Sequence, residues 1–138
     1  MVEAEHGGRD AGARGLKLWL VLVRLVGTVL LVLGVVILLF PALGAPLFAM
    51  ADVDASDVVY LRAISFRDIA VGLMLLALSG ISIKGTVAAC AALAVVPAGD
   101  LVLVGWNDGG VLALLPHGLS LLALAVLAVS GGIMLRAR

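Results

Sequence analysis

The chain is a succession of long apolar runs separated by short polar stretches. The first run, residues 16–40, has 25 residues, and a hydrocarbon core about 30 Å thick needs about 20 residues of helix. Further apolar runs follow at residues 69–83, about 86–105 and about 111–135. The pattern predicts four membrane-spanning helices.

The second run is too short to cross a membrane by itself. Its 15 apolar residues, 69–83, rise only about 22 Å as a helix, so we expect span two to begin near Ala63 or Ile64. This start places Arg67 and Asp68 inside the edge of the membrane. The predicted spans are therefore 16–40, 63–83, 86–105 and 111–135.

Short turns are predicted between most of these spans. Lys84 and Gly85 predict a tight turn before span three, because glycine readily ends a helix and lysine suits the dipole at its C-terminus. Residues 105–110 predict the turn before span four. The 41–65 connection is long enough to form a lid or an interfacial helix, and Asp54 or Ser56 can cap a short helix within it.

The predicted architecture is all-α, an integral membrane protein folded as an antiparallel four-helix bundle. Up-down packing is the default for helices joined by short connections. Residues 16–138 form one domain in this prediction. Residues 1–15 are polar and glycine-rich, and we expect them to form a disordered cytoplasmic tail.

Composition supports a membrane protein and excludes other classes. Hydrophobic residues make up 64% of the 138 residues, charged ones 13%, and the mean hydropathy is +1.28. Nine Lys and Arg balance nine Asp and Glu, which leaves no basic excess for nucleic acid. The single cysteine, Cys90, excludes an intrachain disulfide and has no neighbours at zinc-binding spacing. We expect no metal and no cofactor.

The distribution of charge predicts an orientation. One side of the predicted bundle carries both termini and six cations: Arg9, Arg14, Lys17, Lys84, Arg136 and Arg138. The other side carries one cation and several acids: Arg62, Asp52, Asp54, Asp57 and Asp108. The positive-inside rule then places the N- and C-termini in the cytoplasm, and the inner membrane of a bacterium is the expected location.

Five ionisable residues lie within the predicted spans: Arg24, Arg67, Asp68, Asp100 and His117. Each costs at least a few kcal/mol in hydrocarbon unless it is paired or serves a function. The span limits place Asp68, Asp100 and His117 about 7–9 Å below the outer surface, on three different helices. We expect these three to surround one cavity, with Arg67 bonded to a carboxylate. Arg24 enters from the opposite side, and we expect it to lie deeper, a turn or two below this layer.

Structural roles remain open for some of these residues. Arg67 and Asp68 can form a local ion pair, and His117 can bond to a backbone carbonyl. Asp100 has no cation beside it in the sequence, so it must be protonated or find Arg67, Arg24 or His117 across the bundle.

Three short motifs occur in order: Ala63-Ile-Ser-Phe-Arg67-Asp68-Ile-Ala-Val-Gly72, Pro97-Ala-Gly-Asp100 and Pro116-His117-Gly118. With these motifs, the chain from about residue 16 to 135 resembles a family of small four-span membrane proteins described as a domain of unknown function. That family has an Arg-Asp pair opening span two, an Asp in span three and a His in span four. DoxX-like four-helix membrane proteins are similar in outline. The resemblance implies a site but no reaction.

These side chains favour a membrane-embedded enzyme that acts on a lipophilic small molecule. The candidate catalytic residues are Arg67, Asp68, Asp100 and His117, with an ionised Asp as base and a protonated Asp or His117 as acid. An Asp-Arg-Asp set is similar to the catalytic group of limonene-epoxide-type hydrolases, which have an unrelated fold. Epoxide opening, cyclisation and isomerisation all fit this chemistry.

Three further polar or aromatic residues are candidates for contact with a substrate. Arg24, Trp106 and Asn107 are candidates for substrate contact, and the latter two also fit a water-facing turn. The alternative functions are a proton or small-solute transporter and a non-catalytic structural or partner subunit whose polar cluster fixes the bundle. The expected partners are the lipid bilayer and a lipophilic small molecule, and a homo-oligomer is left open.

Overall fold

The computed structural model describes residues 2–50, 53–107 and 109–137, with side chains from residue 12 onward. The helices are α1 (Val2–Leu39), α2 (Pro41–Gly44), α3 (Ala55–Ile81), α4 (Ile83–Leu93), α5 (Val95–Trp106) and α6 (Val111–Arg136), with a 3₁₀ turn at Ala45–Phe48 between α2 and α3. No strand occurs in the described ranges.

Four helical segments are long and apolar enough to cross a membrane: Gly12–Leu39, Ala55–Ile81, Ile83–Trp106 and Val111–Arg136. The third segment consists of α4 and α5 with a break at Ala94. Pro97 explains the break, because a proline ring clashes with the helical carbonyl four residues earlier and offers no N–H. The prediction of an all-α, four-span membrane protein is confirmed.

Close backbone contacts show how the spans pack. A Cβ on Gly72 would lie 2.6 Å from the carbonyl oxygen of Gly27, and a Cβ on Gly34 would lie 2.8 Å from that of Ser65. Glycine at these positions lets α1 and α3 approach closely, as small residues do in membrane bundles. Since residue numbers rise along α1 as they fall along α3, the two helices are antiparallel.

The α6 helix completes the bundle by packing on α1 and on the α4–α5 span. Trp19 is buried, and its indole Nε1 donates to the carbonyl oxygen of Leu127 at 3.0 Å. Gly131 lies against Trp19 and Val87. We call the end of the bundle that holds Ser82 and both chain termini the terminal side, and the end that holds residues 40–54 the connection side.

The start of α3 differs from the prediction. Asp54 accepts from the backbone N–H groups of Ser56 and Asp57 at 2.7 and 2.9 Å, and the Asp57 side chain accepts from Asp54 N at 3.1 Å. This capping box begins the full spanning helix at Ala55, so the predicted start near Ala63 was wrong. The polar first turn is stable because the cap satisfies its free N–H groups.

The turn between spans two and three also differs from the prediction. The chain breaks at Ser82, which is extended and whose Oγ accepts from Gly85 N at 3.0 Å. Lys84 and Gly85 were expected to form this turn, but both lie in the first turn of α4. The serine side chain supplies the cap that begins α4, so the chain does not need glycine to turn there.

The N-terminal segment is helical from Val2 onward, where residues 1–15 were expected to be a disordered tail. Once a helix has formed, each further residue adds one hydrogen bond for one residue fixed, so the spanning helix continues outward. Asp52, Asp108 and Arg138, which entered the charge comparison, lie outside the described residues.

Candidate functional site

Arg67 lies between two carboxylates near the middle of α3. Its Nη1 and Nη2 donate to the two carboxylate oxygens of Asp100 at 2.9 and 3.0 Å, and its Nε donates to Oδ1 of Asp68 at 3.1 Å. The paired bonds to Asp100 are the strong, geometrically specific form of this interaction. The expected bond from Arg67 to a carboxylate is present, and it joins α3 to α5.

His117 on α6 contacts the same cluster from the other side. Its Nε2 lies 2.9 Å from the backbone oxygen of Leu47, and its Nδ1 lies 3.5 Å from Oδ2 of Asp100. A carbonyl oxygen can only accept, so Nε2 carries a proton. A second proton on Nδ1 would make this contact an ion pair, and the two cations would then balance the two carboxylates.

The two carboxylates are almost equally buried but differently bonded. Asp68 is 8% exposed and Asp100 is 7% exposed, as is His117, whereas the Arg67 side chain is 32% exposed. Both oxygens of Asp100 receive bonds from Arg67. Among the described residues, no group donates to the second oxygen of Asp68. Since the described side chains leave no fully buried polar atom unpartnered, this oxygen keeps accessible surface.

A cavity of about 60 Å³ lies beside this cluster. A cavity needs roughly 10–15 Å³ to hold one water molecule, whose share of the liquid is about 30 Å³, so this space has room for about two waters. Apart from the polar cluster, its walls are mostly apolar and come from every spanning segment: Val26, Leu30, Leu33, Ile37, Leu47, Phe48, Val71, Leu93, Val96, Pro97, Pro116, Ser120 and Leu124. The site is therefore a polar cluster inside an apolar chamber.

The 3₁₀ turn at Ala45–Phe48 forms one wall of the cavity on the connection side. Its Leu47 holds His117, and the Phe48 ring lies 5.1 Å from the His117 ring and 6.3 Å from that of Tyr60. Ala49 adopts a left-handed conformation with φ of 58°, and the chain turns back there. Sequence reasoning did not find Leu47 and Phe48, although two bulky apolar residues in a connection are a usable signal.

The expected substrate-binding residues lie elsewhere. Arg24 donates from Nε to Ser79 Oγ at 3.2 Å, towards the terminal side. Trp106 is 81% exposed, and Asn107 is exposed in the turn after α5. None of the three lines the cavity, so their positions do not agree with the predicted contact to a substrate held there.

Comparisons of the chain with protein-family models, curated proteins and solved structures find no match. The resemblance to the four-span family therefore stays a prediction. Within the described part of the chain, no group of three His, Cys, Asp or Glu side chains is placed to hold a metal ion. A function must be argued from the geometry of the cluster and the cavity.

Proposed function

We propose that the protein is a membrane-embedded enzyme that performs acid/base chemistry on a lipophilic small molecule. One observation carries the proposal: Arg67 holds two carboxylates beside an apolar chamber, and only Asp68 keeps a free oxygen. Fixed carboxylates in different bonding environments can act as separate acid and base groups. The coarser statement, that the chain is a four-span membrane protein, does not depend on this proposal.

The bonding pattern assigns a role to each side chain. Asp68 is the base, because its free oxygen can accept a proton from water or from a carbon acid. His117 is the acid, because its Nδ1 lies 3.5 Å from Asp100, farther than a tight hydrogen bond. Arg67 and Asp100 position the other two. The set is similar to the Asp-Arg-Asp group of limonene-epoxide-type hydrolases, as a likeness of chemistry and not of fold.

Epoxide opening illustrates the proposed reaction. Asp68 takes a proton from water while the water oxygen bonds to a ring carbon and the ring carbon–oxygen bond breaks. His117 protonates the departing oxygen, which yields a diol. The proton on Asp68 then returns to His117 through a second water, and the site is reset. Cyclisation and isomerisation use the same base and acid on a carbon skeleton.

The dimensions of the chamber indicate the form of the substrate. About 60 Å³ is small compared with ligand sites of about 300–1,000 Å³, so it fits a compact reactive group. The partly exposed Arg67 side chain lies at the joint between α3 and α5. A hydrocarbon tail can extend from the chamber along these helices into the bilayer.

A second candidate is a non-catalytic subunit in which the cluster fixes helix packing. The paired bonds between Arg67 and Asp100 favour it, because a closed ion pair specifies one arrangement of α3 and α5. A structural role needs only this pair. It does not explain why Asp68 is present at the chamber with an oxygen left free.

The proposal is tested by turnover in nanodiscs. Terpenoid and long-chain epoxides are supplied in ¹⁸O-labelled water, and diols are measured by mass spectrometry, while alkenes in deuterated water report isomerisation. We expect product from the wild type. The turnover rate of Asp68→Asn and of His117→Gln should be lower by about 100-fold or more, the contribution typical of a general acid or base. Arg62→Gln, an exposed cation on the connection side, is the matched control. Full turnover by Asp68→Asn would overturn the assignment, and a folded wild type inactive on every substrate would favour the structural subunit.

We also propose that both termini face the cytoplasm in a bacterial inner membrane. Lys17, Lys84 and Arg136 lie at the terminal side, whereas Asp54 and Asp57 cap α3 on the connection side, a bias that follows the positive-inside rule. Single cysteines at Asn107 and Ala137 are labelled in intact cells with an impermeant maleimide, in a Cys90→Ser background. We expect labelling at 107 only, and labelling at 137 only would reverse the topology.

A further inference from the structure

Arg24 is a cation on the outer surface of the bundle, and its partner Ser79 lies twelve residues after Arg67 on α3, about 18 Å along the helix. It is exposed on α1, and its Nε donates to Ser79 Oγ on α3 at 3.2 Å. Among the described residues, no carboxylate makes an ion pair with it. The four N–H groups of its Nη1 and Nη2 therefore have no acceptor among the described residues.

Arg24 lies within the Gly12–Leu39 span, and its side chain is directed towards the terminal side. Its partner Ser79 lies three residues before the break at Ser82, about 4–5 Å along the helix. Helical side chains lean towards the N-terminus of their helix, and the N-terminus of α1 is on the terminal side. The guanidinium is thus turned towards the terminal side, the direction in which a long cationic side chain within a membrane reaches towards lipid headgroups.

A second cation lies on the same face of α1. Lys17 is exposed and precedes Arg24 by seven residues, which is two helical turns or about 10 Å. Gly80, beside Ser79 in the sequence, has open space around it. Leu25 and Ile81 are strongly exposed nearby in the sequence, where lipid chains would cover them.

We propose that Arg24 binds the phosphate of an anionic phospholipid at the terminal side, and that Lys17, about 10 Å farther along α1, adds attraction for the negatively charged headgroup. The Ser79 bond fixes the guanidinium, whose free fork matches two phosphate oxygens. Two cations without a described acidic neighbour favour a headgroup with net negative charge over a zwitterionic one. This site is independent of the proposed reaction, because Arg24 does not line the chamber and Ser79 lies about 18 Å along α3 from Arg67.

Native mass spectrometry of the full chain in detergent measures this binding. The protein is titrated with phosphatidylglycerol or phosphatidylcholine, and the bound lipid is counted. We expect one phosphatidylglycerol to be retained in preference to phosphatidylcholine. Arg24→Gln should weaken its binding about tenfold or more, since a charge-assisted bond contributes about 1.5–3 kcal/mol. Arg24→Lys should retain binding within a few fold, and Arg62→Gln should not change it.

A second variant and a competition experiment distinguish a lipid site from a site for free phosphate. Lys17→Gln should weaken retention several fold, and it tests the site even if Arg24→Gln does not fold. Inorganic phosphate at millimolar concentration should not displace the lipid, and displacement would assign the site to free phosphate instead. Equal retention of phosphatidylglycerol by Arg24→Gln and the wild type would overturn the proposal, as would equal retention of the two lipids by the wild type.

Discussion

Neutralising Asp100 is expected to destabilise the bundle more than neutralising Asp68, although the two carboxylates are almost equally buried. Asp100 accepts both arms of the Arg67 fork, at 2.9 and 3.0 Å, and lies beside His117. Asp68 accepts one bond, at 3.1 Å. The two variants make the same chemical change in the same cluster, so their difference reports the different bonding partners of the two carboxylates.

The magnitude follows from what asparagine can replace. In Asp100→Asn the amide oxygen can still accept one bond, but its NH₂ group faces the other arm of Arg67, and the ion pair is lost. Breaking a fully buried pair costs about 3–5 kcal/mol. Since Arg67 is about one-third exposed and keeps Asp68, we expect about 2–3 kcal/mol. Asp68→Asn keeps an acceptor for Nε, and should cost about 1 kcal/mol or less.

Thermal unfolding in nanodiscs checks this order, with the buried Trp19 as the fluorescence reporter. At about 4 °C per kcal/mol for a chain of this size, Asp100→Asn should melt about 8–12 °C lower and Asp68→Asn at most about 4 °C lower. Arg62→Gln serves as the surface control. Equal melting temperatures for the two variants, or a lower one for Asp68→Asn, would refute the reasoning.

Two further predictions concern the fold. Gly72→Ala should lower the melting temperature by several degrees because its Cβ would meet Gly27 O at 2.6 Å, whereas Gly80→Ala, with open space around it, should be neutral or stabilising. The hydrogen bond from the Ser56 side chain, with that from the Asp57 backbone, lowers the pKa of Asp54. The cap should therefore stabilise the folded protein fully above the ordinary aspartate pKa, about 4. This stabilisation should be lost as the pH falls through the lower pKa of the folded state. Melting temperatures of wild type and Asp54→Ala between pH 2 and 8 should converge only at the acid end, and convergence near neutral pH would contradict this.

The number of spans could be predicted because hydrocarbon imposes a minimum length on each apolar run. The meeting of Asp68, Asp100 and His117 could also be predicted, because ionisable groups in a membrane need partners. The depth of Asp68 was nevertheless derived from a start at Ala63, and α3 begins at Ala55. Asp68, Asp100 and His117 still meet because the contact between Gly72 and α1 sets the position of α3 in the bundle. The additional first turns of α3 extend beyond that contact and do not change it.

Other features could not be predicted because they depend on three-dimensional packing. Helix rotation decides that Asp100 takes the Arg67 fork while Asp68 takes one bond, and composition carries no information about rotation. The same uncertainty made Arg24 a candidate for substrate contact, although it faces outward. Leu47 reaches His117 through its backbone oxygen, a contact that any residue at that position could make. The Ser82 turn was missed because glycine was weighted above a serine cap.

The proposed acid/base function gives the free oxygen of Asp68 a role that a purely structural cluster does not. Arg67 and Asp100 already form a neutral pair that joins α3 to α5, so helix packing alone does not require the carboxylate of Asp68. A cluster that served packing alone would be more stable without the Asp68 carboxylate, since each added charge in a membrane interior has a desolvation free energy to overcome. Asp68 instead leaves one acceptor oxygen with accessible surface beside an apolar chamber. Such an oxygen is stabilised when water or a substrate donates to it, and the chamber has room for that donor.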